Sequence, residues 1–74
     1  MLLKRSFSLA GHRTSVALEA PFWAALENLS VARGTTLVRL VAAVDSARLP
    51  EESLASCLRV LALQETAAKN LQPR

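Results

Sequence analysis

Between Arg13 and Glu19 the chain alternates. Thr14, Val16 and Leu18 share one parity and Arg13, Ser15 and Ala17 the other, and a period of two marks a strand with one face buried and one face free. Pro21 follows closely, a helix-start signal because its missing N–H is unpaired in a first turn anyway. Everything downstream reads as helix. A lone short strand cannot satisfy its own backbone donors and acceptors, so it must find a partner. Where that partner comes from decides what such a chain becomes.

A second alternating run precedes the first. From Lys4 to Leu9, the residues Arg5, Phe7 and Leu9 fall on one parity and Lys4, Ser6 and Ser8 on the other. The apolar parity then changes from odd to even across Ala10-Gly11-His12. A continuous strand does that only through a bulge or a turn, and Gly11 tolerates either. Two readings follow: an intrachain hairpin around Ala10-Gly11, or a basic N-terminal arm leading into the main strand.

Three helices are predicted after the strand. The first spans about Ala20 to Arg33, with Glu19 where a capping acid would sit, an apolar stripe of Phe22, Leu26 and Leu29 widened by Trp23 and Ala25, and Gly34 as its left-handed stop. The second starts at Thr35 or Thr36 as N-cap and runs to about Ala47, with Leu37, Leu40, Val41 and Val44 at helical spacing. Arg48-Leu49-Pro50 breaks that pattern. The third begins at Ser53, or a turn earlier, and reaches Ala67 or Ala68; Lys69 to Arg74 reads as a frayed tail. Leu54, Cys57, Leu58, Leu61 and Glu65 form one face of it, and Val60 and Leu63 add a second apolar strip. A helix apolar on most sides is expected to be buried on most sides.

Size sharpens the question of the strand's partner. With 74 residues the chain buries only about 60–65% of its unfolded surface, so its stability alone is marginal. Small folds compensate with disulfides, a metal or oligomerisation. One cysteine, Cys57, permits no internal disulfide, and a single His beside it makes no zinc set. Oligomerisation remains, and a 51% hydrophobic content suits a surface shared between copies.

The charge is uneven. Net charge is +3, and before Glu19 the chain carries Lys4, Arg5, His12 and Arg13 without one acid, an asymmetry that suits a polyanionic partner. Met1-Leu2-Leu3-Lys4-Arg5 puts its charges after two leucines with no long apolar run behind them, unlike an export signal. No stretch of about 18 uncharged apolar residues offers a membrane span. The expectation is a cytoplasmic protein with no membrane partner.

No catalytic set stands out, since nothing puts a base beside a nucleophile and the chain is too small for a deep pocket. The reading is therefore no enzyme, no cofactor and no metal. His12 has no companion His and fits a turn-stabilising or phosphate-facing role. Trp23 reads as core, with a partner for its indole N–H, and Cys57 as a small buried hydrophobe. Arg59 lies on a mostly apolar helix, and both an ion pair with an acid such as Asp45 and a phosphate-facing role are open to it.

A strand, a helix, a glycine and a hydroxyl-capped second helix resemble the ribbon-helix-helix repressors, among them the methionine repressor and Arc. The segment concerned is roughly Arg13 to Ala47. Gly11-His12-Arg13-Thr14-Ser15-Val16, Leu18-Glu19, Pro21-Phe22-Trp23 and Leu54-Ala55-Ser56-Cys57-Leu58-Arg59 are similar to a small bacterial subfamily with a GHRTSVxLE…FW pattern and an added third helix. The resemblance implies a mainly α fold with one short strand, in an intertwined homodimer whose strands pair antiparallel across subunits. Such a ribbon enters the DNA major groove. The chain then divides into residues 1–12 as a basic arm or extra strand, 13–47 as the ribbon-helix-helix core, 48–68 as the additional helix and 69–74 as a tail.

The resemblance also implies roles. Arg13, Ser15 and Ala17 become the base-facing residues: Arg13 suits a bidentate contact to guanine, Ser15 is less selective, and Ala17 offers only a contact to a thymine methyl. The free N–H groups at the start of the second helix, with Thr35 and Thr36, become a phosphate clamp. Lys4, Arg5 and His12 follow the backbone from outside, adding affinity without sequence information. Val16, Leu18, Phe22, Trp23, Leu26, Leu40 and Val44 form the dimer core. The implied function is homodimeric transcriptional regulation on double-stranded DNA. The alternative is an antitoxin-like or adaptor module that holds a protein partner through the third helix.

Overall fold

The first strand's partner lies in the same chain. In a computed structural model, which describes the backbone of residues 1–71 and side chains of residues 1–68, Leu2–Leu9 forms β1 and His12–Glu19 forms β2 of a two-stranded antiparallel sheet. Ala10 and Gly11 join them with φ of +49° and +82°. A two-residue loop with both φ positive is of the type I′ kind, whose twist matches that of the flanking strands. Of the two readings for residues 4–9, the hairpin is the one the chain adopts. The resemblance implied one short strand; there are two, and β2 pairs with β1 along one edge.

Register explains the parity change. Leu9 faces His12, Phe7 faces Thr14, Arg5 faces Val16 and Leu3 faces Leu18. Odd residues of β1 thus share a face with even residues of β2, so one apolar face needs opposite parities on the two strands. That face packs on the helices, with Phe7, Leu9, Val16 and Leu18 all buried.

The helices follow at once. Helix α1 spans Ala20–Ala32, with Pro21 in its first turn and Trp23, Leu26 and Leu29 buried. Its end is closed by Gly34 N–H donating to the Val31 carbonyl at 3.0 Å and Thr35 N–H to the Ser30 carbonyl at 2.9 Å, with Gly34 at φ +66°, as a left-handed stop requires. Helix α2 spans Leu37–Ala47, and Thr36 is its N-cap: the Thr36 hydroxyl accepts from Arg39 N–H at 3.2 Å. Thr35 takes no part in that cap. The break after α2 is held by Arg48, which pairs with Asp45 at 2.9 Å and donates to the Glu52 carbonyl at 2.7 Å.

Helix α3 spans Leu54–Leu71. Ser53 accepts from Ser56 N–H at 3.0 Å, the geometry of an N-cap. The helical backbone continues past Ala68, where a tail was expected; residues 72–74 lie outside the described residues. The expectation of burial on most sides is corrected. Leu58 and Ala62 are fully buried, but Val60 and Leu63 are 53% and 65% exposed, because they lie off the strip that packs on α1, α2 and β2.

One core closes within one chain. Of the residues expected in a dimer core, Val16, Leu18, Trp23, Leu26 and Leu40 are buried among intrachain neighbours, with Phe22 and Val44 half-buried against them. Trp23 anchors the sheet to α1. Its Nε1–H donates to the Leu3 carbonyl at 2.8 Å, and its ring lies 5.9 Å from that of Phe7 at 36°, within the range of favourable aromatic pairs.

Candidate nucleic-acid interface

Two faces of the hairpin have opposite characters. The face away from the helices presents Lys4, Ser6 and Ser8 from β1 and Arg13, Ser15 and Ala17 from β2, with Leu2 opposite Glu19 at its open end. Lys4 stands opposite Ala17, Ser6 opposite Ser15, and Ser8 opposite Arg13. Directly opposite side chains on one face have Cβ atoms about 4.5–5.5 Å apart, so these three pairs make one continuous polar surface. Only the middle pair is tied: the Ser6 and Ser15 hydroxyls lie 3.1 Å apart in a hydrogen bond that either can donate. Lys4 and Arg13 are exposed and make no ion pair among the described residues.

The sequence brings Arg13, Ser15 and Ala17 to this face as expected from their parity. It missed Lys4, Ser6 and Ser8 as members of the same surface. The signal was available in the parity change, which forces the even residues of β1 outward once a two-residue turn joins the strands.

Arg5 belongs to the other face. Its guanidinium pairs with Glu27 of α1 and lies over the Trp23 ring, 4.9 Å from the centroid, a cation–π contact. Its charge faces α1, with the side chain partly exposed. His12 pairs with Leu9 at the hairpin tip and is exposed. Thr35 and Thr36 sit at the α1–α2 corner, with Thr36 already engaged as cap.

The remaining charges hold the frame. Arg59 of α3 pairs with Glu19 at 3.1 Å and lies 5.9 Å from the Phe22 ring centroid; Asp45, the partner proposed from the sequence, is occupied by Arg48. Glu19 is the N-cap of α1 by position, yet its carboxylate caps no helical N–H. A hydrogen bond from its own backbone N–H chiefly holds the carboxyl below its ordinary value, with desolvation opposing and Arg59 assisting. The one acid beside the outward face is thereby neutralised by a cation. Cys57 is a free, half-buried thiol, not the buried hydrophobe expected. It lines an open groove of about 580 Å³ with Glu51, Ser56, Val60 and Gln64.

A family model for the ribbon-helix-helix domain matches residues 2–66. The chain belongs to the ribbon-helix-helix family. No curated protein and no solved structure matches it. Ribbon-helix-helix domains are DNA-binding and dimerising. The match takes in both strands, α1, α2 and α3 as far as residue 66. None of the described helices is long and apolar enough to cross a membrane.

Proposed function

We propose that this ribbon-helix-helix protein is a transcriptional regulator that lays the outward face of its β1–β2 ribbon in the major groove of double-stranded DNA. One observation carries the reading. The exposed ribbon face bears two free cations and three serines, and its neighbouring acid is paired with Arg59. The major groove, about 12 Å wide, admits two strands about 4.8 Å apart. Arg13 is the principal base reader, by a bidentate contact to guanine; Ser15 is a weak reader and Ala17 at most meets a thymine methyl. The N-terminus of α2 with Thr35 and Thr36 holds a phosphate, and His12 reaches the backbone from the hairpin tip.

The regulator acts in the cytoplasm as a homodimer. Light scattering on the pure protein tests the dimer.

Binding is tested by gel shift with rising salt. Phosphate contacts alone give measurable affinity at low ionic strength, falling steeply as salt is raised. Absence of any shift at low salt sinks the reading.

A second reading rests on the exposed Val60 and Leu63 of α3: an antitoxin-like or adaptor module that docks a protein partner on this strip. Surface labelling of the pure dimer decides between them. A strip covered by the second copy removes the support for a further protein partner.

A further inference from the structure

Lys4 and Arg5 are adjacent in sequence and were expected to do one job, following the phosphate backbone. The strand separates them. Successive side chains of a strand point to opposite faces, so Arg5 is drawn inward to Glu27 and Trp23, while Lys4 stands outward, exposed and without an ion pair among the described residues. Its cross-strand neighbour is Ala17. Ala17 is the outward residue of β2 with no polar group, and its short side chain leaves the space above the pair to Lys4.

The geometry points to Lys4 as a second base-reading residue, recognising a guanine where Ala17 can recognise almost nothing. This rests on the proposed groove binding and deepens it. An ammonium group donates to the O6 and N7 acceptors that guanine presents in the major groove, the contact that Arg or Lys makes there. The reading face then has a defined layout. Arg13 with Ser8 lies toward the hairpin tip, the mutually bonded Ser6 and Ser15 in the middle, and Lys4 with Ala17 next, followed at the open end by Leu2 opposite Glu19, whose carboxylate is paired with Arg59. Four residues along a strand at about 3.3 Å each separate the two cations by roughly 13 Å. At about 3.4 Å per base pair step, that is about four base pairs. The ribbon of one chain thus reads two guanine positions about four base pairs apart, with little demand on the base pairs between, where the serine hydroxyls are partly satisfied by one another.

A phosphate role makes a different forecast from the same charge. A cation on a phosphate adds equally to every sequence, whereas one on a base edge adds to some. The full chain, as wild type and as Lys4→Thr, Lys4→Arg and Arg13→Ala, is used to select duplexes from a random-sequence pool, and the preference at each base position is compared. Thr keeps strand propensity at an exposed position, and circular dichroism verifies that each variant folds. Lys4→Thr is expected to flatten the preference at one position by about tenfold, the scale of a lost bidentate guanine contact. Arg13→Ala is expected to flatten a different position about four base pairs away, and Lys4→Arg to retain the preference, since Arg makes the same contact.

A Lys4→Thr protein that binds every sequence more weakly with an unchanged preference overturns the assignment of Lys4 and leaves the groove binding standing. A wild-type protein that selects nothing and shows no low-salt affinity overturns both.

Discussion

Arg59 Nε donates to Oε1 of Glu19 across 3.1 Å, joining the middle of α3 to the residue at which β2 ends and α1 begins. The pair spans 40 positions of sequence and ties α3 to the base of the ribbon. Without it, α3 would be held to the rest by its buried strip alone. The Phe22 ring lies beside the guanidinium, its centroid 5.9 Å from the guanidinium carbon.

That pair gives the acid limb of stability a named group. The Glu19 carboxyl is held below 4.5, chiefly by its own backbone N–H, with Arg59 assisting against desolvation. A carboxyl whose folded value is depressed contributes stability that is complete above its unfolded value and is lost as pH falls through the folded one. Urea midpoints are therefore expected to fall as pH drops below 4.5, and to fall less in Glu19→Gln, which has no such group to protonate. Parallel acid limbs in the two proteins would remove Glu19 from this role.

Trp23 does for β1 what Arg59 does for α3. Its indole N–H on the Leu3 carbonyl at 2.8 Å fastens β1 to α1. Trp23→Phe keeps an aromatic ring but loses the donor and some volume at a fully buried site. A loss of about 1–2 kcal/mol is expected from urea unfolding, with the first strand loosening most in amide exchange. An unchanged midpoint with unchanged exchange over Leu2–Leu9 would show that the hydrogen bond does not hold the strand.

Much of this fold was legible in the sequence because its patterning is strongly periodic. The buried parity of Thr14, Val16 and Leu18, the stop at Gly34 and the cap at Thr36 all rest on local chemistry and all appear where local chemistry puts them. What was less legible depended on non-local partners. The parity change across Ala10-Gly11 was visible and required a turn or bulge, but periodicity alone did not choose between a hairpin and an arm. The partner of Arg59 was misjudged because pairing across 40 residues leaves no spacing signal. Arg5 and Lys4 were treated alike as N-terminal cations, although a strand there sends them to opposite faces.

The turn is a place where stability can be gained. Ala10 adopts φ +49°, a left-handed conformation that costs an L-residue with a Cβ roughly 1–2 kcal/mol, and that Asn tolerates better. Asn-Gly is the preferred pair for a type I′ hairpin. Ala10→Asn is expected to stabilise by about 0.5–1 kcal/mol, raising Tm by roughly 2–8 °C for a domain of this size. Gly11→Ala, at φ +82°, is expected to lower it. A gain from Ala10→Asn that vanishes in a chain lacking β1 would tie the effect to the hairpin.

Arg5 and Arg13 test the division of labour between the ribbon's faces. Arg5 is held by Glu27 and the Trp23 ring, so Arg5→Met removes a partly exposed ion pair and a cation–π contact while keeping an apolar stem. A stability loss of about 0.5–1.5 kcal/mol is expected. Affinity for DNA should change little once the protein is folded, and the salt dependence should keep its wild-type slope, since each phosphate contact contributes about 0.9 to that slope and Arg5 makes none. Arg13→Ala should behave in the opposite way: stability within about 0.5 kcal/mol of wild type, as for an exposed residue without partners, and a loss of about 1–3 kcal/mol of discrimination between preferred and unrelated duplexes. Chemical unfolding and salt-titrated gel shifts on the same preparations read both quantities. A salt slope reduced by about one in Arg5→Met would mean that the guanidinium leaves Glu27 for a phosphate when DNA is present, and that the inward face of β1 opens on binding.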